Sequence, residues 1–214
     1  MKSLPTAWLI TPQAPDWTWS GYDAIQPQDL VIAIDGGLLR CMELGLKVDY
    51  LCGDMDSIAD GWQQHISPDR VWRFDPYKNE TDNELAIQRL LQMNFQRMQI
   101  INNMGGRVDH LLGLIQNLLY AHRQGVMACL ENANQRAFFL PRKWQAMGLK
   151  GCKLSLVAYG TSALFEASEG LEWSLKSLAL YPHLSRGISN DIIADKVSIS
   201  LENGDCLAVL TKLS

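Results

Sequence analysis

The sequence has no apolar run approaching about 18 residues, no close pair of cysteines and no surplus of basic residues. It also lacks charge blocks, internal repeats and low-complexity linkers. Each absence removes a class of protein. Without a long apolar run there is no candidate transmembrane helix, and the short run Ala7 to Ile10 ends at Thr11-Pro12, too soon for a signal-peptide core. A cytoplasmic location with no membrane partner is the expectation. Cys41, Cys52, Cys129, Cys152 and Cys206 are odd in number and widely spread, which fits neither a zinc nor a redox motif but suits reduced thiols. A net charge of −4 provides no broad positive field for a phosphate backbone, so nucleic acid is not an expected partner. Two familiar nucleotide signatures, G-x-G-x-x-G and G-x-x-x-x-G-K-[ST], are also missing, which argues against standard dehydrogenases and P-loop ATPases.

What is present is a 214-residue chain, 47% hydrophobic and 20% charged, able to bury a core without metals or disulfides. Up to about residue 140, short apolar or β-branched runs alternate with longer helical stretches, the pattern of a parallel sheet with helical crossovers. Strands are predicted at Ala7 to Ile10, Leu30 to Ile34, Tyr50 to Cys52, Arg70 to Phe74, Gln99 to Ile101 and Val126 to Leu130. The clearest helix is Val108 to His122, where apolar residues recur every three or four positions. A second helix starts at Thr81, which has capping-box spacing to Glu84. Beyond Pro141, short segments broken by glycines predict an all-β unit, with strands at Lys153 to Ala158, Leu171 to Leu175, Lys196 to Leu201 and Cys206 to Leu210. The expected division is therefore an α/β unit over 1–143 and an all-β unit over 144–214.

The acidic residues fall at strand exits. Asp35 follows Val31 to Ile34, while Asp54 and Asp56 follow Tyr50 to Gly53. In an open α/β sheet that edge is where ligands bind. Asp54 and Asp56 are two apart, so in an extended chain their side chains share a side and a cation. Oxygen ligands without His or Cys select a hard ion such as Mg²⁺, which retains waters and substrate phosphates. An isolated Asp-x-Asp is equally at home in a solvated turn. Gly36-Gly37, Gly53 and Gly105-Gly106 stand beside these exits, where a backbone without side chains can cradle phosphate or simply turn tightly. Lys78 stands just before a helix start, Thr81 at its cap and Asp82 in its first turn, a pattern that by itself reads as capping with dipole-compensating acids. Arg107, Asp109 and His110 open the long helix, whose amides suit an anion.

In order, Asp35-Gly36-Gly37, Gly53-Asp54-Met55-Asp56-Ser57, Lys78-x-Glu80-Thr81-Asp82 and Gly105-Gly106-Arg107-x-Asp109-His110 resemble the motif series of thiamine pyrophosphokinases. Gly170 to Leu175 and Ser185 to Asn190 are similar to that family's C-terminal motifs. The resemblance implies an α/β ATP- and Mg²⁺-binding domain followed by a β-sandwich that binds thiamine and forms a homodimer. It implies that Asp54, Asp56 and Asp82 bind Mg²⁺, and that Asp35, beside them, binds the nucleotide together with Gly36 and Gly37. It further implies that Lys78, Thr81 and Arg107 contact the nucleotide, that Asp109 lies near the reacting hydroxyl, and that Ser189 and Asn190 contact thiamine. Three departures stand out. Asn102 replaces a glycine common in the family, the loop Thr11 to Pro15 has no glycine, and Glu172 and Ser174 replace Lys and Pro.

Overall fold

A computed structural model describes residues 4–16, 18–55, 58 and 61–213. The chain divides into two compact units, Met1–Ala133 and Asn134–Ser214.

The first unit carries six strands and three α-helices: β1 Ala7–Ile10, β2 Leu30–Ile34, α1 Gly37–Glu43, β3 Tyr50–Gly53, β4 Val71–Arg73, α2 Asp82–Gln92, β5 Arg97–Ile101, α3 Val108–Arg123 and β6 Met127–Glu131. Its strands form a parallel sheet in the order β6-β5-β1-β2-β3-β4. The chain winds outward from β1 to β4, then crosses back to place β5 on the other side of β1. That reversal opens a crevice at the carboxyl ends of β1 and β5. Both faces of the sheet are covered, which is why β1 and β2 read as unbroken apolar runs rather than alternating ones. Trp8, Ile10, Val31, Ala33 and Leu51 pack with Leu38 and Cys41 of α1. The alternate residues Leu9 and Ile32 lie on the opposite face, where α2 packs on β1, β2 and β3.

Helix α2 begins as its capping signal requires, for Thr81 Oγ1 accepts the Glu84 amide at 3.2 Å. Helix α1 was not anticipated, because its seven residues are too few to show a helical period.

In the second unit, β7 Gln135–Phe139, β8 Lys143–Met147, β9 Lys153–Glu169, β10 Ala179–Leu180, β11 Asn190–Asp191 and β12 Lys196–Thr211 pair antiparallel. The division falls before the expected boundary after residue 143, since β7 pairs with β12 and so belongs to this unit. Two expected strands, Lys196 to Leu201 and Cys206 to Leu210, are halves of β12. Its register shifts between Ser200 and Asp205 bend it, and each half finds a different partner, β8 for the first and β7 for the second. Gly204 sits at that bend with φ 84, where a Cβ would come within 2.1 Å of the Ser162 carbonyl oxygen. The expected strand Leu171 to Leu175 is instead a loop with one bridge, Leu171 to Ile192.

Candidate active site

The crevice in the first unit is a cavity of about 560 Å³, lined by the exits of β1, β2 and β5 and the first turns of α2 and α3. Asp35 lies in it immediately after β2, in the left-handed region at φ 44. Gly53, at φ 152, ends β3 beside it. A Cβ on Gly53 would come within 1.8 Å of Asp35 Oδ1, so the glycine makes room for that carboxylate. Gly37 has a packing duty as well, since a Cβ there would lie 2.0 Å from the Ile10 carbonyl oxygen. Close approach of α1 to β1 is therefore one reason for the Gly36-Gly37 pair.

Lys78 Nζ lies 2.8 Å from Asp82 Oδ1 and 3.9 Å from Asp54 Oδ2, and all three side chains are largely buried. Burial draws the Lys78 ammonium pKa down, but the hydrogen bond to Asp82 and the charges of Asp82, Asp54 and Asp35 more than offset it, leaving the value above that of ordinary lysine. Asp35 responds oppositely. Burial, reinforced by the neighbouring Asp82 and Asp54 carboxylates, pushes its pKa up to about 7. Its Oδ1 is buried with no hydrogen-bond partner among the described residues. Three carboxylates thus converge on a single ammonium.

This arrangement has a stability consequence. A carboxyl whose folded-state pKa lies above its unfolded value stabilises the fold below 3.8, and that contribution is lost as pH rises through about 7. Asn at position 35 cannot ionise. Metal-free Asp35→Asn protein is therefore expected to melt above the unaltered protein at about pH 8, by roughly 1 kcal/mol or ~2–4 °C after allowance for screening in the cleft. The gain should shrink toward about pH 4, as thermal melts across that range would show.

Asp56 lies outside the described residues. The extended-chain argument for its pairing with Asp54 needs correction, because Met55 is left-handed at φ 69 and buried against the core. Among the described residues no three acidic, histidine or cysteine side chains form a ready cage for a metal ion.

Arg107 and Asp109 stand at the start of α3, exposed and paired with each other, Nε to Oδ1 at 3.1 Å. The Arg107 guanidinium holds the Asp109 carboxyl below its usual value. Arg107 at the N-cap makes no side-chain cap, while the Asp109 carboxyl turns back on the His110 amide and so occupies part of the positive end of α3.

The departures at Asn102 and in the early loop answer each other. Asn102 is buried and donates to Thr11 Oγ1 at 3.0 Å, while its Oδ1 accepts the Met104 amide at 2.7 Å. Gln13 adds a backbone tie, accepting the Asn103 amide at 2.8 Å. One side chain and one loop do the bracing of the β5 exit.

In the second unit the Asn190 carboxamide is already engaged. It accepts the Trp173 amide at 3.0 Å and donates to the Trp173 carbonyl at 2.7 Å. Asn190 therefore holds a loop whose indole is 71% exposed. Ser189, at φ 60, donates its amide to Ser155 Oγ. Trp173 lies in the Gly170 to Leu175 motif, but nothing in the sequence assigned it a role of its own.

Comparison with known proteins places this geometry. The family described as thiamin pyrophosphokinase, catalytic domain, matches residues 22–130, just over half of the 214-residue chain. Thiamine pyrophosphokinase of Bacillus subtilis (strain 168) is 23% identical over 179 residues, covering 82% of this chain and 84% of that protein. The crystal structure of the Bacillus subtilis enzyme matches with a TM-score of 0.83 at 22% identity, over 97% of this chain and 99% of that one. Yeast thiamin pyrophosphokinase matches with a TM-score of 0.78 at 15% identity, over 99% and 87% of the two chains. On the match of family, sequence and fold, the chain belongs to the thiamine pyrophosphokinase family of enzymes.

Proposed function

We propose that the protein transfers the terminal diphosphate of ATP to the hydroxyl of thiamine, releasing AMP, with Mg²⁺ as the cofactor. The observation that carries this reading is the grouping of Asp54 and Asp82 on Lys78, with Asp35 beside the two carboxylates and with Asp35 and Asp82 in the crevice wall. Three carboxylates facing one ammonium, with Asp35 Oδ1 orphaned, leave a deficit of positive charge that a hard cation answers. Asp54 and Asp82, with Asp56, would hold it, and a site without a closed protein cage suits an ion that keeps phosphate oxygens and waters as ligands. When bound, Mg²⁺ would withdraw charge from the polyphosphate oxygens.

The chain's own groups supply the rest. The thiamine oxygen forms a bond to the β-phosphorus as the bridge to the α-phosphate breaks, and AMP leaves with the bridging electrons. Lys78, held charged by its carboxylate neighbours, meets the polyphosphate. Arg107 and the N-terminal end of α3 provide a second positive locus. Asp109, acidified by Arg107, orients the hydroxyl and takes its proton late, which a loose transition state permits. Gly36, Gly37 and Thr81 shape the nucleotide's approach, and the parallel-sheet unit is the ATP-binding domain under this reading.

The second unit, read as a β-sandwich, contributes thiamine contacts and the homodimer surface. Exposed Trp173, Tyr181, Leu184 and Ile188 support that role. Ser189 and Asn190 contact thiamine, and Asn190 also fixes Trp173. Trp173→Ala is expected to lower kcat/KM for thiamine about tenfold, mostly through KM, by loss of an aromatic face for the cationic thiazolium. Steady-state rates at saturating ATP check this, and an unaltered KM would count against it. A cytoplasmic enzyme without membrane or nucleic-acid partners fits the net charge of −4 and cysteines held as thiols rather than disulfides. Incubation with ATP, Mg²⁺ and a panel of hydroxymethyl acceptors tests the reaction. AMP with diphosphorylated thiamine supports it, and inorganic phosphate without AMP contradicts it.

A further inference from the structure

Helix α3 turns one stripe toward the crevice: Asp109, Gly113 and Asn117 are spaced four apart, with His110 and Leu114 alongside. From Asp109 to Asn117 the stripe runs roughly 12 Å. Gly113 is bare, and a Cβ built there meets nothing within 4 Å. The helix therefore presents an open slot between two polar ends.

Asn117 lies at the deep end and is only 6% exposed. None of the hydrogen bonds among the described residues uses its carboxamide, although buried amides are normally paired. Asn83 of α2 lines the same cavity, and its Oδ1 is buried without a partner. Asn102 in the same wall is fully engaged with Thr11 and Met104, so unpaired amides are not a general property of this cavity.

We propose that Asn117, with Asn83, is a specificity residue that reads the edge of an amino-substituted pyrimidine ring lying over Gly113. A carboxamide offers a donor beside an acceptor, and an exocyclic amine next to a ring nitrogen offers their complement. The identity of the ring rests on the reaction proposed above, in which both substrates carry that edge: the adenine of ATP and the aminopyrimidine of thiamine.

Binding to the full chain, measured calorimetrically with one ligand at a time, separates the two sources. ATP is compared with purine riboside triphosphate, and thiamine with its 4-deamino analogue, which lack the exocyclic amine and offer a rotated carboxamide no substitute, for the unaltered protein and for Asn117→Leu. In one of the pairs the preference for the amino form should fall about tenfold in the variant, and that pair identifies the ring. The ligand-free variant should melt at the same temperature or higher, because an unpaired buried amide has been removed. Gly113→Val should weaken binding of the same ligand by filling the slot, with helical circular dichroism retained. Unchanged preferences in both pairs overturn the proposal, as does a lowered melting temperature with both preferences intact. These arms need no turnover. Failure of the unaltered protein to form AMP would therefore contradict the reaction without obscuring how Asn117 reads the ring.

Discussion

Asp82→Asn is expected to lower kcat for AMP formation by about two orders of magnitude or more, equivalent to ~2.7 kcal/mol at the transition state. Asp82 occupies the first turn of α2, held there by the Thr81 cap, and touches Lys78 while raising the pKa of Asp35. Its loss removes one of the carboxylates proposed to hold Mg²⁺ and releases Lys78 from its position. Stability feels two opposed changes. Asp35 loses a like-charged neighbour, so its pKa should drop, which offsets part of the stability lost with the Lys78 ion pair, and the metal-free variant should remain folded above about pH 7. A folded Asp82→Asn protein with near-normal AMP formation would remove this carboxylate from the mechanism. Parallel activity and melting measurements separate a chemical defect from a folding one.

The second large effect concerns packing. Gly37→Ala is expected to cost on the order of 3 kcal/mol, roughly 6–12 °C of Tm for a chain of this size. Its new Cβ would lie 2.0 Å from the carbonyl oxygen of Ile10, a fully buried residue of a central strand, and within 3.2 Å of Thr11 carbon. Backbone cannot swing aside as a side-chain tip can. Either α1 lifts from the sheet or β1 shifts, and the second movement would disturb the Thr11 to Asn102 brace of the crevice. Thermal denaturation checks the magnitude, and a Tm within about 2 °C of the unaltered protein would contradict the packing argument.

Much of the first unit was legible because burial on both faces writes parallel strands as apolar runs. β1 and β2 appear where Ala7 to Ile10 and Leu30 to Ile34 were predicted, and α2 and α3 start where their caps and periodicity indicate. The second unit was less legible. Bulges carry β12 past the Asn203-Gly204 signal that ordinarily ends a strand, so one bent strand reads as two short ones. At the site, the exits of β2 and β3 named Asp35 and Asp54, but the sequence could not show that Lys78 sits between Asp54 and Asp82, or that burial makes Asp35 a weak acid. Those properties depend on contacts across the sheet edge. Asn190 carries a role its motif did not show: besides the ligand contact the motif suggested, its carboxamide ties down the Trp173 backbone. Asn117 was concealed because an asparagine amid leucines has no local signature. It becomes visible only once the 109, 113, 117 stripe faces a cavity.

The central claim is that carboxylates at these strand exits organise a divalent cation and the diphosphate end of ATP for transfer as one piece. Phosphorus NMR of the protein with ATP, Mg²⁺ and thiamine tests it most directly. The expected result is AMP and thiamine diphosphate growing in equal amounts, with both phosphorus atoms of the product coming from ATP and the reaction halted by a chelator. Growth of ADP or free phosphate in their place, or transfer that persists without a divalent ion, would contradict it.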